Sequence, residues 1–513
     1  MRLFPMNAGH ARALMAQAAA ALVVSALIAG CGNNYRPVVT PINPNGPPAQ
    51  PTSYAVVISY TGATSPGIAT IIDYSGDTIM AEAPIGPGPV AFTIDELGAT
   101  GYTLNSDGTL TNFPITTSLQ AKNITQSTLP HTALPVNLMA PSSGLWAADL
   151  NGDVADVFSG SPQTFQRAVA VGTVASPATM PMYIVGAPTL TGQREYVLSQ
   201  NVPDSAPMSC NTSPRTAPLG VATPIEISSY STDAAIPVGK CPVYGLLSSD
   251  QRRMFVLNRG DDTITVINSQ DGTLNNQCPP PAGCVNQNGQ TYFTHPVLPL
   301  STTAVTATGV TPPNGEVGMT PTAGPVYAEY NAATTQLVVS NYDGSTISVI
   351  DVSLDEYGND SSTFGTTYTI PVGANPAAVT VLYDGSRAYT ANQTDSTVTI
   401  VNLSSHTVEK TLTVVGNPRT VASTENSLYG KVYAAAPNSP YLTVINTETD
   451  LIDTAVLVEG NVVDVRLTTT NGSSGSNANY TSRVPGYGQP CNLPGVPAPT
   501  GTQTLLQACQ AIP

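Results

Sequence analysis

Between residues 336 and 381 the chain reads QLVVSNYDGSTISVIDVS, then a variable connection, then YTIPVGANPAAVTV. Leu337-Val338-Val339-Ser340-Asn341 is a short β-branched run, Tyr342-Asp343-Gly344-Ser345 has turn chemistry, and residues 346–352 alternate apolar with small polar side chains. That pattern predicts a hairpin. Residues 368–372 read as a third strand ended by Gly373, and Pro376 opens a fourth over 377–382. The same sentence recurs as FVLN with TITVIN (255–268), AYTAN with TVTIVN (388–402) and KVYAAA with YLTVIN (431–446), so one small unit is being copied.

Asp351, Asn402 and Asn446 end successive hairpins at intervals of roughly 40 to 50 residues, and four short strands in each such interval describe a propeller blade. No helical pattern interrupts the strands, which argues against a solenoid. Earlier in the chain the sentence is worn but legible, in hairpins starting near Tyr54, Gly101, Leu145 and Glu195. The expectation is an all-β propeller of four-stranded blades over residues 53–468, with eight hairpins counted. The first hairpin has no Pro-led strand before it, whereas residues 461–467 form an orphan strand after the last. Pairing the orphan into the first blade closes the ring and completes every blade. Two connections are long: residues 203–223, and residues 275–322 with their CPPPAGC loop.

The phrases FVLNRGDDTITVIN, VVSNYDGSTISVIDVS with TIPVGANPAAV, YTANQTDSTVTIVN and VYAAAPNSPYLTVIN resemble the YVTN-repeat family of β-propellers. The resemblance covers about residues 236–468 and implies seven blades as the usual form, so seven is the alternative to the count of eight. Lactone-hydrolysing propellers, to which such repeats are similar, place acids, bases and often a cation at the channel mouth. Candidates of that kind are Glu226, Asp261, Asp262, Asp343, Asp395, Arg259 and Arg387, all at turns or strand ends where polar residues occur anyway. No catalytic residue can be carried over from the family.

Arg2 and Arg12 precede an uncharged, apolar stretch over 13–30, as in an export signal. Ile28-Ala29-Gly30-Cys31 resembles a bacterial lipobox, which implies cleavage before Cys31 and a lipid anchor on it. Residues 1–30 are therefore expected to be a lipoprotein signal and residues 31–52, rich in Pro and Asn, an extended tether. The expected location is the cell envelope, with Gly32 after the Cys suggesting the outer membrane. Assigning Cys31 to lipid leaves six of the seven cysteines: Cys210, Cys241, Cys278, Cys284, Cys491 and Cys509. Sequence proximity favours Cys210 with Cys241, Cys278 with Cys284 and Cys491 with Cys509, though six cysteines admit many connectivities. Residues 469–513, Gly/Ser/Asn-rich and then Pro-rich, read as a disulfide-pinned tail.

A net charge of −16 repels phosphate backbones, so nucleic acid is excluded as the default partner. Asp149-Leu150-Asn151-Gly152-Asp153 has the oxygen spacing of a calcium loop, but Val154 replaces the usual Gly, and Asn151-Gly152 is also a strong hairpin turn. The plain turn is the preferred reading, and neither metal nor cofactor is expected. After the signal, His131, His295 and His406 lie far apart in sequence, in connections or turns. No G-x-S-x-G, Walker loop or HExxH occurs. The sequence thus favours an envelope-anchored, non-catalytic module that binds protein or glycan through loops, with a lactonase-like hydrolase as the alternative.

Overall fold

The computed structural model describes residues 53–468 apart from residues 63, 74, 131–132, 134, 142–143, 151, 188–193, 204–209, 211–213, 301–322 and 425–429. The signal, the tether, Cys31, His131, Asn151, Cys491, Cys509 and the tail lie outside the described residues.

Eight four-stranded antiparallel sheets form an eight-bladed propeller. Seven blades open with their innermost strand, which pairs in order with a second, a third and an outer strand. Blade 1 is assembled from both ends of the ring: Tyr54–Tyr60, Pro66–Asp73 and Thr78–Pro87 receive Asn461–Leu467 as their innermost strand. Ala55 pairs with Leu467 and Tyr60 with Asn461, so the orphan strand closes the ring as expected.

Proline opens the innermost strand of blades 2 to 7, at Pro89, Pro135, Pro181, Pro242, Pro325 and Pro376. A residue without an N–H suits the start of a strand whose inner edge has no partner. We call the face where these strands begin the top. Turns between the second and third strands then also lie at the top, and turns between the third and outer strands lie at the bottom. Second and third strands are buried almost throughout, as in VVSN and ISVI of blade 6, because each sheet is covered on both faces by its neighbours. Outer strands are largely exposed, as in Leu451–Leu457.

The exposed outer edge is where sequence and structure differ. Thr125–Thr128, the outer strand of blade 2, is the polar run TQST and carries no apolar signal. In blade 4 the third strand is Leu219–Glu226, so it begins inside the connection expected over 203–223: its register with Arg194–Ser199 buries Ala222 and Ile225, and the chain turns at Tyr230. The connection over 275–322 is not a link between blades. It splits the outer strand of blade 5: Thr273–Leu274 pairs with the lower part of Thr263–Asn268, and Val297–Pro299 resumes beside the upper part. Between them lies a short hairpin, Cys284–Val285 with Thr291–Tyr292.

Within a blade, one polar device repeats. Asn392, ending the second strand of blade 7, donates through Nδ2 to Thr397 Oγ1 at 3.0 Å and Thr399 Oγ1 at 2.8 Å on the third. Asn105, Asn258 and Asn341 do the same toward Thr109 and Thr111, Thr263 and Thr265, and Thr346 and Ser348. The glycine ending the outer strand before it makes room: a Cβ at Gly373 would lie 2.6 Å from Asn392 Nδ2. These bonds satisfy the buried amide N–H groups, where an unmade bond costs about 1–3 kcal/mol, while Oδ1 of Asn258 and of Asn341 is buried without a hydrogen-bond partner.

Candidate functional site

Five of the seven candidate residues lie at the top face, and three of them cluster. Arg259, on the turn of blade 5, makes a two-pronged pair with Asp343 of blade 6, Nε to Oδ2 at 3.0 Å and Nη2 to Oδ1 at 2.7 Å. Asp262 takes Arg215 Nη2 at 2.8 Å through Oδ2 and the Gly324 N–H at 2.8 Å through Oδ1. Burial pushes the Asp262 carboxyl up, against the Gly324 N–H and Arg215, which pull it down. The Cys210–Cys241 disulfide pins the excursion of blade 4 beside this cluster. Each of these charges is already held by an opposite charge, an arrangement that fixes blades to one another.

A turn rule accounts for the acids. The last residue of the top turn sits at positive φ, 53° at Asp153, 54° at Asp262 and 51° at Ser345. From there its side chain accepts the N–H just ahead of the next blade's proline: Met180 to Asp153 at 2.8 Å, Gly324 to Asp262, and Asn375 to Ser345 at 3.3 Å. Asp261 and Asp395 accept from the Lys240 and Ala374 N–H at 2.6 and 2.9 Å. These side chains do for the blade junction what a cap does for a helix end. Asp149 and Asp153 do not converge as calcium ligands. Asp153 caps Met180, whereas Asp149 turns toward Asp156.

Glu226 and Arg387 lie at the opposite, bottom face. Glu226 accepts from Arg194 Nε at 2.7 Å. Arg387 pairs with Asp450 of blade 8, which also accepts the Tyr389 hydroxyl at 2.5 Å. Lys431 and Tyr433 of blade 8 repeat this latch on Asp77 of blade 1, at 2.6 and 2.9 Å. The motif, basic residue–x–Tyr at the start of a second strand and Asp in the next blade's bottom turn, is visible as RAY and KVY, but its partner lies in another repeat, so spacing along the chain does not reveal the latch.

A second bottom-face cluster fixes the blade 5 excursion. Asp360, with no exposed side-chain surface, accepts Arg253 Nε and Nη2 at 3.2 and 3.0 Å, Asn275 Nδ2 at 2.9 Å and the His295 N–H at 2.9 Å. His295 Nδ1 lies 3.0 Å from the same carboxylate, and its ring stacks on Phe364 at 5.3 Å. His406 lies elsewhere, stacked on Tyr368 with ring centroids 3.7 Å apart, and burial pulls its pKa down. The two described histidines are not brought together. The Cys278–Cys284 disulfide, 5.2 Å between Cα atoms, staples the base of the excursion's hairpin. Val285 is 66% and Phe293 36% exposed there.

Along the channel the innermost strands carry buried aromatic and acidic side chains. Tyr183, Tyr244 and Tyr327 occupy one register in three successive blades with centroids 5.0 and 4.7 Å apart. One register lower, Glu329 accepts the Val381 N–H at 2.7 Å, while Asp464 of blade 1, at the level of the tyrosines, accepts Arg466 Nε at 3.0 Å. All of these side chains are buried. No group of three or more His, Cys, Asp or Glu among the described residues is placed to hold a metal.

No protein-family profile matches the chain. No curated protein sequence matches it either. In fold it is similar to Citrobacter koseri AztD, with a TM-score of 0.51 and 13% identity over 81% of this chain and 97% of that one. It is similar also to the dihydro-heme d1 dehydrogenase NirN in complex with DHE, with a TM-score of 0.52 and 12% identity over 84% of this chain and 78% of that one. The periplasmic gluconolactonase of Pseudomonas aeruginosa aligns more loosely, with a TM-score of 0.45 and 13% identity over 82% and 99% of the two chains. At these identities the likeness establishes the propeller and nothing of its chemistry.

Proposed function

We propose that this chain is an exported, lipid-anchored propeller built from YVTN-type repeats, which binds a protein or glycan partner without transforming it. The observation that carries the reading is the excursion of blade 5. It is tied down by Cys278–Cys284 and by the Asp360 cluster, yet presents Val285 and Phe293 to solvent. Apolar side chains held rigidly on a protruding hairpin lose little entropy on docking, which is what a recognition element requires. The acids and arginines expected of a hydrolase are instead engaged with one another or with blade-junction N–H groups.

The ring's two ends support the anchoring. Tyr54 N donates to Thr468 Oγ1 at 2.8 Å and Thr468 N to Tyr54 O at 3.0 Å, so both chain directions leave side by side at the bottom of blade 1. Blade 5 stands across the ring from that point. A tether over 31–52 would span at most about 70 Å when fully extended.

Deleting residues 275–322 outright would remove Val297–Pro299 and two donors to the buried Asp360, so point variants give the cleaner test. The double variant Val285→Asp with Phe293→Ser should keep the wild-type melting temperature and lose the envelope protein or polysaccharide that wild-type protein retains on a column. Cys31→Ser should release the protein from the membrane fraction. Lactone or ester hydrolysis by purified protein, abolished by neutralising Asp262 or Asp343, would replace this reading with the hydrolase.

A further inference from the structure

The excursion of blade 5 and the bottom connection of blade 6 meet at two points. At their bases Asp360 of blade 6 accepts Asn275 Nδ2 and the His295 N–H, each at 2.9 Å. At their tips Asn288 Nδ2 donates to Glu356 Oε1 at 3.3 Å and to Tyr357 Oη. Two loops tied at both ends form one fixed surface, on which residues of two repeats stand side by side.

The tip has an unusual composition. Asn286, Gln287, Asn288 and Gln290 put four carboxamides into five residues, and residues 273–300 include no Asp, Glu, Lys or Arg. Asn286 is occupied by the turn itself: its Oδ1 accepts the Asn288 and Gln290 N–H groups at 3.0 and 2.9 Å, and its Nδ2 donates to Gln290 Oε1 at 3.1 Å. The other amide groups face solvent. Among the described residues Asn288 Oδ1, Gln290 Nε2 and both ends of the Gln287 amide have no hydrogen-bond partner, and all three residues are exposed. Beside them Tyr357 is 36% exposed, while Asn288 holds its hydroxyl and Asp355 Oδ1 accepts its N–H at 2.9 Å.

Neutral amide donors and acceptors next to an aromatic ring match one ligand chemistry. A sugar hydroxyl both donates and accepts, so it pairs with an amide carbonyl and an amide N–H at once, and the C–H face of a pyranose packs on an aromatic ring. Acidic polysaccharides are disfavoured, because Glu356 and Asp355 stand at the same tip on a chain of net charge −16, and Arg252, beside Gly358, already faces Asp250 at 3.9 Å. We propose that the joined tips of blades 5 and 6 bind a neutral polysaccharide, with Gln287, Asn288 and Gln290 pairing with hydroxyls and Tyr357 packing on a sugar face. This rests on the reading of the excursion as a recognition element and narrows its partner from protein or glycan to uncharged glycan. Asn288, Gln290 and Tyr357 are held in place before docking, which lowers the ordering cost of binding.

The test passes envelope extract of the source cells over immobilised full-length protein, after protease digestion or after periodate oxidation, which cleaves vicinal diols. Retained carbohydrate should survive protease, disappear after periodate and resist elution by salt. Asn288→Ala with Gln290→Ala, and separately Tyr357→Leu, should keep the wild-type melting temperature and weaken retention at least tenfold, and Tyr357→Phe, which keeps the ring, should lose less than Tyr357→Leu. Retention that is destroyed by protease and untouched by periodate would overturn the glycan site in favour of a protein partner and leave the recognition reading standing, as would loss in Val285→Asp with Phe293→Ser but not in the tip variants. Elution by salt would overturn the neutral class of ligand. Failure of wild type to retain anything from untreated extract would overturn both readings.

Discussion

Blades 7 and 3 occupy equivalent positions in the ring and solve the same two problems with different chemistry. At the end of the second strand blade 7 places Asn392, which donates to two threonines; blade 3 places Asp149, with Val154 and Asp156 where the threonines would be. At the latch to the next blade, Tyr389 and Arg387 hold Asp450, whereas Trp146 stacks on Tyr230, 5.8 Å between centroids, with Arg167 over the other ring at 4.1 Å. The backbone registers coincide while the polar contacts differ. A blade position therefore demands a contact of given size and reach, and the sequence is free to fill it with charge, hydroxyl or aromatic surface.

The largest contrast should appear on breaking the two latches. Asp450→Ala strips the acceptor from Arg387 and Tyr389, both mostly buried, and should destabilise by about 3 kcal/mol, since a charge and a hydroxyl lose their partner together. Tyr230→Leu, in the bottom turn of blade 4, keeps most of the apolar burial and removes the ring stacking on Trp146, worth about 0.5–1.5 kcal/mol. Chemical denaturation of both variants measures the difference, and equal losses would mean that the polar latch contributes nothing a ring stack does not.

A smaller effect should follow pH. Burial first, and then the neighbouring Asp149, push Asp156 from its ordinary 3.8 up to about 8, so the pair holds a proton that the unfolded chain releases near pH 4. A carboxyl raised in the fold contributes fully below its unfolded value and loses that contribution as pH rises through its folded one. Blade 3 should therefore weaken progressively between about pH 4 and pH 8 and change little above. Grafting the blade 7 device, Asp149→Asn with Asp156→Thr, should flatten this part of the stability profile and raise the denaturation midpoint at pH 8. An unchanged slope would show that the pair does not share a proton.

The smallest effect concerns the top turns, where the two blades differ only by an acid against a hydroxyl. Asp153→Ser, which gives blade 3 the hydroxyl used by Ser345 and placed at Ser396, keeps an acceptor for the Met180 N–H and should cost about 0.5 kcal/mol or less, whereas Asp153→Ala should cost about 1 kcal/mol. Melting temperatures of the two variants separate capping by position from capping by charge.

Much of this architecture was legible before any coordinates. The Val/Ile runs, the Asp-Gly and Asn-Gly turns and the Pro-led strands mark the hairpins, and counting them with the orphan at 461–467 predicts eight blades and the closure. Residues 278 and 284, and 210 and 241, pair as proximity suggested, because short separations leave few alternatives. The outer strands were not legible where, as in TQST, they lie exposed and carry no apolar period. Nor was the splitting of blade 5's outer strand, because Val297–Pro299 is too short to show a pattern.

For the polar groups the division is sharper. Sequence by itself determined the bonds made inside a blade: Asn392 and its threonines are brought together by one hairpin register, which the turn between them fixes. Only the tertiary structure decided the partners across blades. Arg253 meets Asp360, Arg259 meets Asp343, and Glu195 finds no hydrogen-bond partner among the described residues, because those distances are set by how neighbouring sheets pack around the ring and not by any spacing along it.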